Sequence, residues 1–516
     1  MSKAMGKVWL VGAGPGDPEL ITWRGRELLG RAEVVLYDAL SHPDLLELCP
    51  QAELRDVGKR YGQRATPQGE ITSQLIELAR SGKAVVRLKG GDPLMFARGS
   101  EEALALAEAQ VPFEIVPGVT SPIAASAYAG ISLTHRDASS SVTFITGSDR
   151  EGKEWSPEAW KKLATATGTI CVYMGMRRIA EITQAVIDGG RDPGTPAAVV
   201  RWGARPKQRT VVGTLSDIAE RATSAGLGSP AVIIIGEVVA LRDKMRWYDT
   251  SPLFGRRILV ARPKDQARAT AAIIRQRAAT PVVCPAIVIR PVADPTQLRA
   301  SVLAAHSYDW VIFTSQNGVQ EFFSQVDALG KDARVFGAAK VAVIGPKTGE
   351  ALRLRGIVAD FCAEKFVAES LVEGLLALPG SLQRVLIPRA KEARELLPEA
   401  LRARGALVDV VVAYETLPAT GALAEALRSA IESECDAVLF TSSSMVDAVC
   451  AVLGATAASQ LNERVVVCIG PVTRDTALSH GLKVDVEAEV FTVDGALDAL
   501  AAYYAGRDAG GPALRS

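Results

Sequence analysis

The run VGAGPGDPEL at residues 11–20, which completes the strand-like KVWLVG, decides how the first half of this chain is read. Its glycines stand at 12, 14 and 16, a G-x-G-x-G spacing. A dinucleotide fingerprint places its third glycine one residue later, where this chain has Asp17, and Pro15 has no N–H to offer a pyrophosphate oxygen. EVVLYD ends in Asp38, about where a Rossmann unit carries its ribose-binding acid. The loop is therefore a poor diphosphate cradle. It reads as a tight strand-to-helix turn, either without a ligand or pressed against one that carries no phosphate.

Outside that loop, short β-branched runs alternate with Ala/Leu/Glu-rich segments, the pattern of an α/β protein. The runs KVWLVG, EVVLYD, AVVRLKG, FEIVPG, SVTFITG, TICVYMG, AAVVRWG, RTVVGTL and AVIIIGEVV read as strands. Residues 67–80 read as a helix, with Ile71, Leu75 and Leu78 on one face. The rhythm fails in RDKMRWYDTSPLFGRR (242–257), so the main boundary is placed there, with domains at 1–250 and 251–516. At 516 residues the chain is long enough for three or four domain-sized units.

Fifty-eight basic residues balance fifty-eight acidic ones, which argues against nucleic acid or a membrane surface as the main partner. The longest apolar stretch, PAVIIIGEVVAL, is too short to span a bilayer and contains Glu237. MSKAMGKVWLVG lacks the features of a signal peptide. The seven cysteines form no C-x-x-C and the four histidines no ligand pair, so the expectation is a cytoplasmic protein with reduced thiols and no metal.

The second half repeats itself. RRILVARP at 256 matches QRVLIPRA at 383, DWVIFTSQNGV at 309 matches DAVLFTSSSMV at 436, and VAVIGPKTGEAL at 341 matches VVCIGPVTRDTAL at 466. The offsets are 127, 127 and 125 residues. Three matched segments in one order predict two similar α/β lobes with a ligand cleft between them.

Ten blocks then carry a resemblance. VWLVGAGPGDPELIT, VVLYDAL, VGKR, PQGEI, VVRLKGGDPLMFARG, PFEIVPGVTS, AYAGISLTHR, VTFITG, VYMGM and SPAVIIIGEVVALRDKMRW run in order from residue 8 to about 247. Together they resemble the uroporphyrinogen-III C-methyltransferases, which use S-adenosylmethionine to make precorrin-2. The resemblance implies a two-lobed tetrapyrrole-methylase fold, usually a homodimer, with cofactor and substrate meeting between the lobes. S-adenosylmethionine carries no phosphate, which suits the opening loop. By motif match its site would comprise Pro15, Gly90, Gly91, Asp92, Met95, Thr120, Ser121, Met174 and Gly203. Asp92-Pro93 and Ser121-Pro122 also read as helix N-cap and first-turn pairs.

The methyl group on a sulfonium is already activated. Holding the attacking pyrrole carbon in line can contribute about 7–11 kcal/mol of barrier reduction. A carboxylate that takes the ring N–H proton makes that carbon more nucleophilic. The resemblance assigns this role to Asp38 and that of proton donor to Lys59. The substrate carries eight carboxylates, for which Arg60, Arg64, Arg98, Arg136 and Arg177 are candidate clamps, with Arg201, Arg205, Lys207 and Arg209 as a second basic patch. The chain departs from the family pattern at Ala39, Arg64 and Ser148, where arginine, histidine and histidine are usual.

The segments ILVARP, FTSQNGV, VIGPKT, VLIPRA, VAYETLP, FTSSSMV and CIGPVT resemble uroporphyrinogen-III synthase. That enzyme closes hydroxymethylbilane into the ring the methyltransferase consumes. The resemblance implies a two-lobed parallel α/β domain crossed twice by the chain, with about 256–290 joining 416–505 and 291–414 forming the other lobe. Loops offering backbone N–H and hydroxyl groups would bind carboxylates: Thr314, Ser315, Asn317 and Gly318; Gly345 and Thr348; Thr441, Ser442 and Ser444; Gly470 and Thr473. Tyr414 matches the tyrosine placed near the leaving hydroxyl.

The reading is thus a bifunctional enzyme from hydroxymethylbilane through uroporphyrinogen III to precorrin-2, for sirohaem or cobalamin. Two alternatives stand beside it: methylation of another corrin-pathway intermediate, and a C-terminal half that senses a ligand without catalysis. No G-x-G-x-x-G unit supplies the oxidation and iron-insertion steps some fused relatives carry, so a separate protein is expected to finish sirohaem.

Overall fold

The computed structural model describes residues 4–58, 66–147, 156–363, 368–378, 382–393 and 395–508. The chain divides into two compact units. The first comprises Met1–Arg256, Ile273–Thr280 and Leu500–Ser516; the second comprises Arg257–Ala272 and Pro281–Ala499.

The first unit opens with strands β1 (Lys7–Gly12), β2 (Val34–Tyr37), β3 (Glu53–Asp56), β4 (Ala84–Lys89) and β5 (Phe113–Val116), in the order β3-β2-β4-β1-β5. Their pairings are all parallel. Helices cover both faces of a parallel sheet, so its inner strands are mostly apolar; Val8, Leu10, Val35, Leu36, Val85 and Val86 are at most 1% exposed. The predicted helix forms over Gln68–Arg80 and buries Ile71, Leu75 and Ala79. A second lobe follows in β6 (Val142–Thr146), β7 (Thr169–Tyr173), β8 (Pro196–Arg201), β9 (Arg209–Thr214) and β10 (Ala231–Ile235), ordered β6-β7-β10-β8-β9. Here only β6 and β7 run parallel; β10 pairs antiparallel with both β7 and β8, and β8 with β9.

The second unit contains β11 (Arg257–Val260), β12 (Thr280–Val283), β13 (Ile287–Pro291), β14 (Trp310–Phe313), β15 (Lys340–Val343), β16 (Phe361–Cys362), β17 (Arg384–Ala390), β18 (Leu407–Pro418), β19 (Ala437–Phe440), β20 (Val465–Cys468) and β21 (Val486–Glu487). One sheet has the order β12-β11-β19-β20-β21 and the other β13-β18-β17-β14-β15-β16.

The two repeats therefore do not each make a lobe. The opening strand of the first repeat, β11, joins the later strands of the second, and the opening strand of the second, β17, joins the later strands of the first. The registers match: Ile258 pairs with Ala437 and Val385 with Trp310, which are equivalent positions of the repeat. The first crossing between sheets falls after β12, at 284–286, so Ile287–Pro291 lies in the second sheet, antiparallel to β18. It precedes the expected break at 290 because β18 is twelve residues long and its far end pairs with β13. The stretch Ser443–Leu461 is long and apolar enough to cross a membrane by composition, and half of it is packed inside its lobe.

Candidate active site

Three loops converge at the carboxyl ends of β1, β4 and β5, where open parallel sheets bind ligands. Gly14 and Gly91 exchange backbone hydrogen bonds of 3.2 and 2.8 Å, both in the left-handed region at φ +73° and +71°. A Cβ on Gly12 would lie 2.5 Å from Gly118 Cα, and one on Gly118 would lie 2.3 Å from Gly91 O. Only glycine permits that approach. On the other side the backbone faces open space: a Cβ on Gly91 would meet nothing nearer than 3.8 Å, and one on Gly90 only Leu40 Cβ at 3.4 Å.

Asp92 fastens this arrangement. Its Oδ2 accepts from Gly118 N at 2.9 Å and its Oδ1 from Leu94 N at 2.8 Å. It is not the helix cap expected of Asp-Pro, since the next helix begins at Gly99. The Ser121-Pro122 reading shifts by one residue: Ser121 is the first helical residue and Thr120 is the cap.

From Gly91 the site continues into the second lobe. Thr120 Oγ1 lies 2.6 Å from Tyr173 OH, and the Phe96 ring lies 4.8 Å from that of Tyr173. Burial pushes the Tyr173 phenol up to about 12, so it stays protonated and can donate. Beside it, Met174 is 51% exposed at φ +52°. Phe96, Arg98, Trp202 and Ala204 are also non-glycine residues with positive φ, and such strain concentrates at functional sites. Gly16 packs against Gly203: a Cβ there would come within 2.5 Å of Gly203 O. Pro15, Met95 and Ser121 are all partly exposed along these loops.

Asp38 sits at the carboxyl end of β2, with Oδ1 held by Arg87 Nη2 at 2.5 Å. Arg87 is buried, and its Nε donates to Glu102 Oε1 at 3.1 Å. Lys89 Nζ and Gln68 Nε2 reach the same oxygen at 3.1 and 2.9 Å. Arg87 and Lys89 lie two residues apart on the central strand and so share a face. Burial, with Arg87 adding to it, lowers the Lys89 pKa. Tyr173, Arg87, Lys89 and Glu102 were not singled out from sequence. Two cations inside the central strand AVVRLKG were the available signal, since a buried charge requires a partner.

The expected clamps scatter. Arg98 is exposed and paired with Glu101 at 2.7 Å; Arg136 and Arg177 are exposed. Lys59, Arg60, Arg64 and Ser148 lie outside the described residues. Ala39 packs against Gly58, where a Cβ would come within 2.1 Å of Ala39 N. The second basic patch splits: Arg205 and Lys207 lie over Trp202 at 5.1 and 3.7 Å, whereas Arg201 and Arg209 reach Gly226 O and Ala225 O.

In the second unit Tyr414 is 5% exposed on β18, and its OH lies 2.8 Å from Ser315 Oγ. Ser315 caps the helix Gln316–Ala328 by accepting from Gly318 N at 3.0 Å. Burial raises the Tyr414 pKa, partly offset by Ser315 and Asn317. Gly345 and Gly470 are caps of helices beginning at Pro346 and Pro471. Thr348 and Thr473, the equivalent third helical residues, are 6% and 5% exposed, so their hydroxyls have little access to a ligand. Thr314 and Thr441 are partly exposed, and Ser442 caps its helix without a side-chain bond, its Oγ 3.1 Å from Ser444 Oγ.

Residues 7–219 match the family of tetrapyrrole (corrin/porphyrin) methylases, and residues 268–498 match uroporphyrinogen-III synthase. A porphyrin biosynthesis protein HemD of Ruminiclostridium josui is 38% identical over 96% of this chain and 97% of its own length. A uroporphyrinogen-III C-methyltransferase of Bacillus subtilis is 44% identical over 48% of this chain and 96% of its own. A siroheme synthase of Chromobacterium violaceum is 51% identical over 48% of this chain, which spans only 52% of that relative.

Proposed function

This chain belongs to the family of porphyrin biosynthesis proteins in which a tetrapyrrole methylase precedes a uroporphyrinogen-III synthase, and on that premise we propose that it cyclises hydroxymethylbilane to uroporphyrinogen III and methylates it at C2 and C7 to give precorrin-2. It is an enzyme with uroporphyrinogen-III C-methyltransferase and uroporphyrinogen-III synthase activities.

One observation supports the methylation reading above the others: the glycine loops close tightly on one another at Gly12 and Gly118 yet leave open space beside Gly90 and Gly91, next to Thr120 and Tyr173. That cradle fits S-adenosylmethionine, with backbone groups and the apolar faces of Phe96 and Met174 but no anion nest. Pro15, Gly90, Gly91, Asp92, Met95, Thr120, Ser121, Met174 and Gly203 would hold it. When bound it supplies an electrophilic methyl group.

In this reading Asp38 takes the pyrrole N–H proton through Oδ2, while Arg87 fixes the other oxygen. Lys59 returns a proton. Asp92 keeps the loop at 90–92 against Gly118 while substrate enters. In the second unit Tyr414 assists departure of the hydroxyl, held by Ser315. The protein is read as a cytoplasmic homodimer associating through its first half.

The test incubates the full chain with hydroxymethylbilane and S-adenosylmethionine and reads product mass and methyl positions. Two added methyl groups at C2 and C7 support the proposal. Methylation elsewhere, or only on another corrin precursor, overturns it. Light scattering reports the assembly.

A further inference from the structure

The internal repeat supplies a comparison within the molecule. Arg262 follows β11, and Arg389, 127 residues on, occupies the equivalent place in β17. Both stand at the carboxyl end of the opening strand of their repeat, where parallel sheets bind ligands. Arg389 is 6% exposed and has a carboxylate partner, Glu395 Oε1. At the position 127 residues before Glu395 the chain carries Arg268. The first repeat thus lacks the acid that neutralises the second.

Arg262 is partly buried, and its hydrogen bond is a long one, Nη2 to Gln266 Oε1 at 3.4 Å. Among the described residues no carboxylate lies within ion-pair distance of it. Burial lowers its pKa. A guanidinium does not give up its proton, so an uncompensated one is a lasting cost to the fold. Proteins keep such a cost where a ligand removes it.

Its position shows which ligand. Gln266 Nε2 donates to Asn317 Oδ1 at 3.0 Å, and Asn317 belongs to the helix capped by Ser315, whose Oγ lies 2.8 Å from Tyr414 OH. Gln266 follows β11 and Asn317 follows β14, so this polar chain joins the two lobes. Arg262 stands at one end of it.

We infer that Arg262 is a carboxylate-binding residue of the ring-closing site, taking one acetate or propionate of the linear tetrapyrrole. The inference rests on the reading that this site surrounds Tyr414. The carboxylate meets the guanidinium by charge-assisted hydrogen bonds, with no change to either protonation state.

The test uses the full chain, in which methylation of supplied uroporphyrinogen III reports the integrity of the first half. Arg262→Gln is expected to raise the KM for hydroxymethylbilane about 10- to 100-fold, with kcat within about threefold, as loss of one charged hydrogen-bonding partner does. Arg262→Lys is expected to recover part of that loss. The melting temperature is expected to hold or rise in both variants. Arg389→Gln, which breaks a filled ion pair, is expected to lower the melting temperature and leave KM alone. An unchanged KM in Arg262→Gln overturns the inference, as does a KM rise that accompanies a fall in melting temperature in both Arg262 variants. Tyr414→Phe reads on kcat, so failure of the tyrosine assignment is seen separately.

Discussion

Arg87 Nη2 lies 2.5 Å from Asp38 Oδ1 at the carboxyl edge of the first sheet, and among the described residues the other Asp38 oxygen has no hydrogen-bond donor. Asp38→Asn keeps an acceptor for Arg87 and removes the proposed base. Methylation turnover is expected to fall about 10²- to 10⁴-fold, with S-adenosylmethionine affinity within about threefold by calorimetry. Equal loss of binding and turnover would place Asp38 in the cofactor site instead.

Behind that contact, Glu102 Oε1 receives Arg87, Lys89 and Gln68. Glu102→Ala would leave buried Lys89 without its acid and Arg87 with Asp38 alone. Breaking such a buried group costs about 3–5 kcal/mol. Chemical denaturation of the first half is expected to show that loss, whereas Glu102→Gln, which retains an acceptor oxygen, is expected to lose less.

Gly118→Ala puts a Cβ 2.3 Å from Gly91 O, between two backbones. The loops proposed to hold the cofactor must part, so affinity for S-adenosylmethionine is expected to drop more than tenfold. Gly69→Ala makes the matched control: its Cβ meets nothing within 4 Å on a helix, and it is expected to stabilise by about 0.5–1 kcal/mol.

His42 Nδ1 accepts from Asp44 N at 3.2 Å, a bond that requires the neutral ring. Burial holds its pKa down to about 4 against an ordinary 6.5, with Arg205 among the opposing charges. The unfolded chain therefore binds a proton first as pH falls. Stability from this group is complete above about 6.5 and declines toward about 4, by at most about 3 kcal/mol. His42→Asn keeps a capping acceptor and should flatten melting temperature across that window; an unchanged acid slope would exclude His42 as its source.

Tyr414→Phe removes the 2.8 Å contact with Ser315 but leaves the Ser315 cap on Gly318 N. Stability is expected to fall by about 0.5–1.5 kcal/mol and cyclisation to slow at least tenfold. Stopped-flow assay of hydroxymethylbilane consumption measures it; an unaltered rate removes the tyrosine from the chemistry.

Local patterns were legible before any coordinates. Each strand read from the first half forms, from KVWLVG as β1 to the AVIII of AVIIIGEVV as β10, because an apolar β-branched run bounded by glycine has few other ways to be buried. Pro15 and Asp17 told against a diphosphate cradle from covalent chemistry alone. The pairing of Asp38 with Arg87 was not legible, because 49 residues separate them and only the β2–β4 pairing brings them together. Glu101 and Glu102 are neighbours in sequence, yet one pairs with Arg98 at the surface and the other is wholly buried beneath Arg87 and Lys89.

By itself the sequence determined the α/β class, the repeat and the loop chemistry, since these follow from residue type and spacing over a few turns of chain. The repeat pattern does not say that its copies exchange opening strands, a crossing expected only from the resemblance to the synthase; tertiary structure sets the pairing of β11 with β19 and β17 with β14. The same apolar strand could satisfy its hydrogen bonds beside either copy, and only the packed core of each lobe selects the partner.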